Sequence, residues 1–236
     1  MKAISETRKR ISYILKLTVI VCAVAGTLIS AFAGRSTFMG GKTVFMYFTI
    51  QSNILIAAIC AWGLFLLARD RAVSVTWYTM KLVGTVSITL TGVVFAFLLA
   101  PVLGAEAWNL QNTLTHAVVP IVSVADYFVV VSGKKIPAVN VLSVIIPPLL
   151  YAIYAGIGYA QDWHFARGYN YPYFFLNWGS PAGAFGFTGE LPYMGTAWWI
   201  LLLLVFLIVV GYCYTFLADR IGRLCEKRKD TGGEDG

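Results

Sequence analysis

Long apolar runs alternate with short polar ones along this chain. Six runs match the roughly 20 residues of helix that a hydrocarbon core requires: about 11–33, 44–67, 80–103, 109–132, 138–160 and 195–218. Inside lipid every backbone N–H and C=O must be paired within its own segment. The runs also lack the alternation of barrel strands, so they predict helices. The expected fold is all-α: a polytopic membrane protein of six transmembrane helices. One membrane domain would cover 1–218. The charged segment 219–236, ending in TGGEDG, is expected to be a disordered tail.

Charge then orients the bundle. Thirteen basic residues fall in the N-terminal stretch (Lys2, Arg8, Lys9, Arg10), the second connection (Arg69, Arg71), the fourth (Lys134, Lys135) and the tail (Arg220, Arg223, Lys227, Arg228, Lys229). The other side holds only Arg35, Lys42 and Arg167. The positive-inside bias puts the thirteen, and hence both termini, in the cytoplasm. The start also resembles a signal peptide, with Ala31-Phe32-Ala33 before Gly34. Its apolar run is long for a signal sequence, so an uncleaved first helix is expected.

Composition agrees with a membrane protein: 58% of residues are hydrophobic and 12% charged. The net charge of +7 is explained by topology, because no basic domain or basic-aromatic motif marks a nucleic-acid partner. Cys22, Cys60, Cys213 and Cys225 have neither CxxC nor metal-site spacing, and there are two histidines. Nothing in the sequence calls for a disulfide framework, a metal or an organic cofactor. The long connection, about 161–194, is rich in Tyr, Trp, Phe, Gly and Pro. It suits either an interfacial aromatic belt or a lid across the outer end of the bundle.

Polar residues inside spans are costly unless they face the bundle interior, so they point to function. Thr49, Ser52 and Asn53 share one face of the second helix, next to Gln51. Asn109, Asn112, Thr113 and His116 make a similar stripe on the fourth, which continues through Ser123 to Asp126 and Tyr127. Both helices run inward, and Thr49 and His116 fall at a similar depth, roughly 8–11 Å from the outer end. A hydroxyl and an imidazole at that depth suit a nucleophile and its base. Pro120 cannot donate to the His116 carbonyl, which predicts a kink there. The plain alternatives are a threonine bonded to its own backbone and amides acting as interhelical glue. Asp126 lies about ten residues beyond His116, roughly 15 Å along a helix, too far to orient it. Lys81 is its expected partner. Thr85, Ser87, Thr89 and Thr91 are expected at helix contacts, and His164 needs no special role.

MYFTIQSNILI, WNLQNTLTHAVVPIVSVADYF and YNYPYFFLNW together resemble the androgen-induced gene product family, especially its bacterial six-helix branch. The resemblance runs over nearly all six helices, carried by YFTxQSN and LxHxxxP. It implies an intramembrane hydrolase of fatty acid esters of hydroxy fatty acids or similar lipid esters. Thr49 would be the nucleophile and His116 the base. For such a reaction the neighbouring polar side chains Gln51, Ser52, Asn53 and Asn112 are the candidate oxyanion or substrate contacts. The resemblance also implies membrane lipid as partner and a bacterial inner membrane as location. GxSxG is absent, which argues against an α/β-hydrolase. A non-enzymatic lipid- or small-molecule-binding protein, or a transporter, stands as the alternative.

Overall fold

The computed structural model describes residues 6–32 and 41–231, with side chains described to residue 227. Lys2, Arg35, the Ala33–Gly34 junction and residues 232–236 lie outside the described residues. Six helices are long and apolar enough to cross a membrane. They are α1 (Glu6–Phe32), α2 (Phe48–Ala68), α3 (Val75–Glu106), α4 (Leu110–Val131), α5 (Ala138–Ala160) and α6 (Thr196–Thr231). Among the described residues there is no strand, only the isolated bridges Ala166–Tyr169 and Phe187–Met194 in the long loop.

Helices α1 to α4 form the inner group: α1 packs on α2 and α4, and α3 packs on the same two. Helices α5 and α6 lean on the other side of α3. In its most apolar stretch α4 is 50% buried and α6 only 11%, so α4 is the central helix and α6 the peripheral one. On α1, Ser12, Lys16, Val19, Ala23, Gly26 and Ala31, with Thr27 beside Gly26, are buried about one turn apart. That spacing is one helical face. Ile14 and Val21 on the opposite face are exposed, as are Ile121, Leu150 and Leu201 on other helices. This apolar outer surface suits lipid contact. Small residues let the inner helices approach. A Cβ at Gly63 would lie 2.6 Å from Lys16 Cε, and one at Gly84 2.6 Å from Ile59 Cδ1.

Two boundaries differ from expectation. Helix α2 begins at Phe48 because Gly41–Met46 form a 3₁₀ turn ahead of it. The segment from Asp219, expected to be disordered, continues α6 as helix through Thr231. Its Leu, Arg, Glu and Lys residues are good helix formers. Asp219 pairs with Arg223 one turn on, and the Arg220 guanidinium lies 5.1 Å from the Phe216 ring centre.

Two single π turns interrupt the inner helices, Phe95–Leu99 in α3 and Leu114–Val118 in α4. Each precedes a proline, Pro101 and Pro120. A proline ring crowds the carbonyl four residues back and offers it no N–H; the wider turn relieves both problems. Gly104, at φ +67°, takes the left-handed conformation that turns the chain from α3 towards α4.

Candidate active site

Thr49 is the second residue of α2. A threonine deep in a helix usually bonds the carbonyl four residues back. Here that carbonyl belongs to Phe45 in the 3₁₀ turn, and the Gln51 side chain donates to it instead, at 3.1 Å. The Thr49 hydroxyl turns inward and lies 3.3 Å from His116 Nε2. Thr49 is 6% exposed and His116 5%, so both have left water.

The surroundings of the ring decide its protonation. His116 Nδ1 lies 3.0 Å from the Asn112 carbonyl and 3.0 Å from Thr115 Oγ1. A carbonyl only accepts, so Nδ1 carries the hydrogen. The Thr115 hydroxyl sends its own hydrogen to the Gln111 carbonyl at 2.8 Å, which leaves its oxygen as a second acceptor. In the neutral ring Nε2 is then an acceptor, and the Thr49 hydroxyl donates to it. This is the arrangement a general base needs, with a backbone carbonyl where other sites use a carboxylate. Phe95 stacks on the imidazole with centroids 3.8 Å apart and planes 25° apart. The two π turns thus bring ring to ring. A Cβ at Gly92 would lie 2.9 Å from the His116 carbonyl oxygen and 3.2 Å from the Pro120 side chain, so only glycine lets α3 come this close.

Thr49 also faces a cavity enclosing about 580 Å³, its open mouth included. Leu90, Val94, Leu99, Ile200, Leu203 and Leu204 make its apolar wall, while Thr49, Thr91, Tyr151 and Tyr173 supply the hydroxyls. The long loop roofs it: Tyr173, Phe175 and Leu176 line the space, and a 3₁₀ turn at Phe174–Leu176 holds them. Tyr47 ties the loop down by donating to the Phe165 carbonyl at 3.0 Å. The Thr49 backbone N–H points to the Tyr173 hydroxyl at 3.4 Å, and the Tyr173 ring packs near Tyr151 with centroids 6.1 Å apart. Burial pushes the Tyr173 phenol above its ordinary pKa, so at neutral pH it remains a proton donor.

The other expected contacts fall elsewhere. Gln51 is two residues from Thr49, about 200° around the helix, and turns away to Phe45. The Asn53 amide donates to the Thr49 carbonyl at 2.8 Å and the Thr115 carbonyl at 3.2 Å, tying α2 to the π turn. Ser52 donates to the Thr49 carbonyl at 3.0 Å and meets Thr91 Oγ1 at 2.7 Å. The Asn112 side chain donates to the Ala107 carbonyl at 2.8 Å; it is the Asn112 carbonyl that touches the site. In this structure each of the four makes a hydrogen bond to a backbone carbonyl, which makes Ser52, Asn53 and Asn112 supports of the pair and leaves Gln51 on the far side of the helix. Asp126 bonds Lys81 at 2.7 Å, as expected, and Lys16 at 2.8 Å.

Phe95, Thr115, Tyr151 and Tyr173 were not singled out from the sequence. Thr115 adjoins His116 and Tyr173 lies within YNYPYFFLNW, so both had a local signal; Phe95 and Tyr151 read as ordinary apolar positions. Among the described residues no three His, Cys, Asp or Glu side chains gather where a metal ion would be held. Comparison with protein-family models, curated proteins and solved structures returns no match for this chain.

Proposed function

We propose that this protein is an intramembrane threonine hydrolase that cleaves lipid esters within the bilayer. The observation that carries the reading is the 3.3 Å contact between the Thr49 hydroxyl and an imidazole nitrogen left free to accept. An ester lies in the apolar cavity with its carbonyl against Thr49. Thr49 Oγ attacks the carbonyl carbon as its hydrogen passes to His116 Nε2. The tetrahedral oxyanion accepts from the Tyr173 hydroxyl, and the N-terminal end of α2 adds its positive dipole. His116 Nε2 returns the proton to the departing alkoxide, so the C–O bond breaks and an acyl-threonine remains. Water then attacks that acyl group, His116 takes its proton, and the free acid leaves with Thr49 restored.

Three further features support this reading. Thr49 and His116 match the nucleophile and base positions of the androgen-induced gene product family, through YFTxQSN and LxHxxxP. The cavity is apolar except around Thr49, as an acyl chain with one ester requires. The aromatic loop shields the reacting end from bulk water. The basic flanks support termini in the cytoplasm and an inner-membrane location, which puts Thr49 in the outer half of the bilayer.

The test is turnover of a lipid-ester panel, including esters of hydroxy fatty acids, by purified protein. Wild type should hydrolyse at least one class and take up a covalent serine/threonine-hydrolase probe. Thr49→Ala and His116→Ala should lose turnover at unchanged folded yield. Undiminished turnover in either variant would remove the mechanism. Saturable lipid binding with no turnover in any arm would favour a binding protein instead.

A further inference from the structure

Of the 18 Lys and Arg residues, Lys16 and Lys81 are the two that fall within the apolar runs, and both close on Asp126. Lys16 Nζ lies 2.8 and 3.0 Å from the two carboxylate oxygens, and Lys81 Nζ 2.7 Å from Oδ2. The Ser12 hydroxyl donates to the carboxylate at 2.9 Å and accepts from Lys16 at 2.6 Å. These three charged side chains are all at most 1% exposed. Two cations on one anion leave one positive charge over. The other polar neighbour of Lys81 is Cys60 Sγ at 3.5 Å, a weak acceptor. An uncompensated charge is among the most costly groups to hold away from water.

A cleft reaches this cluster from the end of the bundle that carries Arg8 and Lys9. It encloses about 340 Å³ with its mouth, and Ser12, Lys16 and Trp77 line it. The remaining wall is apolar, with Leu66, Leu67, Val73, Val129 and Val130. Trp77 is 2% exposed, yet its indole N–H has no partner. Buried donors without an acceptor are uncommon in native structures. At the mouth Arg8 donates to the Val129 carbonyl, and Lys9 is neutralised by Glu6 and Asp70. The acid nearest the lysines is already shared between both of them.

We propose that this cleft binds a single oxyanion, a phosphate or carboxylate, which completes the charge of the Lys16–Asp126–Lys81 cluster. The unpartnered Trp77 indole N–H donates to it, while Lys16, whose three N–H groups are held by Ser12 and Asp126, attracts it through the surplus positive charge of the cluster. The apolar wall suits the first carbons behind such a head group. The anion is therefore either free in solution or carried by an anionic amphiphile. This site is separate from Thr49 and His116 and stands whether or not the protein is a hydrolase.

The experiment is thermal unfolding of the full chain in uncharged detergent. Sodium phosphate and sodium acetate are titrated against sodium chloride at matched ionic strength; phosphatidylglycerol is titrated against phosphatidylcholine. A saturable rise in Tm with phosphate, acetate or phosphatidylglycerol, absent with chloride and phosphatidylcholine, is expected. A rise with phosphatidylglycerol alone assigns the anion to a lipid; a rise with the free salts assigns it to solution. Trp77→Phe keeps an aromatic ring and removes the donor. Its half-saturating concentration should rise roughly tenfold, the usual loss for one hydrogen bond to a charged group. Lys16→Met should show no saturable rise. The proposal is overturned if none of the three anions raises Tm beyond its control, or if Trp77→Phe responds at the wild-type concentration.

Discussion

The Phe95 ring stacks on the His116 imidazole, 3.8 Å from centre to centre and tilted by 25°, and each belongs to a π turn of its own helix. The stack caps one face of the imidazole, while the Asn112 carbonyl and Thr115 hydroxyl hold its Nδ1 edge. The imidazole is thus fixed in tilt and in tautomer without any carboxylate. Phe95→Leu should keep the core filled but free the ring to rock. Ester turnover should fall on the order of tenfold, since small misplacements of a reacting group are expensive in rate. Steady-state kinetics would check this, with kcat reduced and KM little changed.

Tyr173 offers a sharper kinetic test. Tyr173→Phe removes the hydroxyl that the Thr49 N–H points to. Loss of an oxyanion donor typically lowers kcat by about 10²-fold or more. A fall of that size in kcat, with probe labelling of Thr49 slowed in parallel and Tm preserved, is the expected result. An unchanged kcat would remove Tyr173 from the chemistry.

Gly92 is where α3 meets the His116–Pro120 turn. A methyl at this position would be 2.9 Å from the His116 carbonyl oxygen, against backbone that has nowhere to go. Gly92→Ala should destabilise by about 1–3 kcal/mol, the usual penalty of overpacking. It should also lower turnover by parting the two π turns. Gly189, whose added Cβ would meet nothing within 4 Å, supplies the control substitution. Thermal unfolding of both variants would read the difference.

Among the described residues Asp126 is the only anion paired with the two buried lysines. Asp126→Asn leaves both cations unpaired in an apolar interior and should cost about 3–5 kcal/mol. The exposed Asp219–Arg223 pair near the end of α6 is a useful contrast. Asp219→Asn there should cost about 0.5 kcal/mol or less, because solvent screens the pair. Equal effects in the two variants would contradict the buried network.

Orientation is open to a labelling test. A membrane-impermeant thiol reagent should reach the exposed Cys225 only after cells are lysed. A cysteine placed at Gly189 in the roof loop should react in intact cells. The reverse pattern would invert the proposed topology and put Thr49 in the inner half of the bilayer.

Much of this was readable along the chain. Each span is a continuous apolar run, and a backbone in lipid has little choice but helix, so the number of helices follows locally. Matching depth, together with the resemblance of YFTxQSN and LxHxxxP, singled out Thr49 and His116, and their side chains lie 3.3 Å apart. The roles of Gln51, Ser52, Asn53 and Asn112 were not legible. Whether an amide donor is free depends on which carbonyl comes within 3 Å of it, and those carbonyls belong to turns and neighbouring helices.

Sequence alone determined where lipid is tolerated, because hydropathy sums over a single segment and needs no neighbour. It also marked the few polar side chains that have to find partners. Only the tertiary structure decided which partners they found. Lys16 joined Asp126, Tyr173 reached Thr49 from a loop more than a hundred residues away, and the Asn112 carbonyl came within 3.0 Å of the imidazole. Hydrogen bonds and ion pairs act over a few ångströms, and distances that short between separate helices are set by packing, through small residues such as Gly63, Gly84 and Gly92.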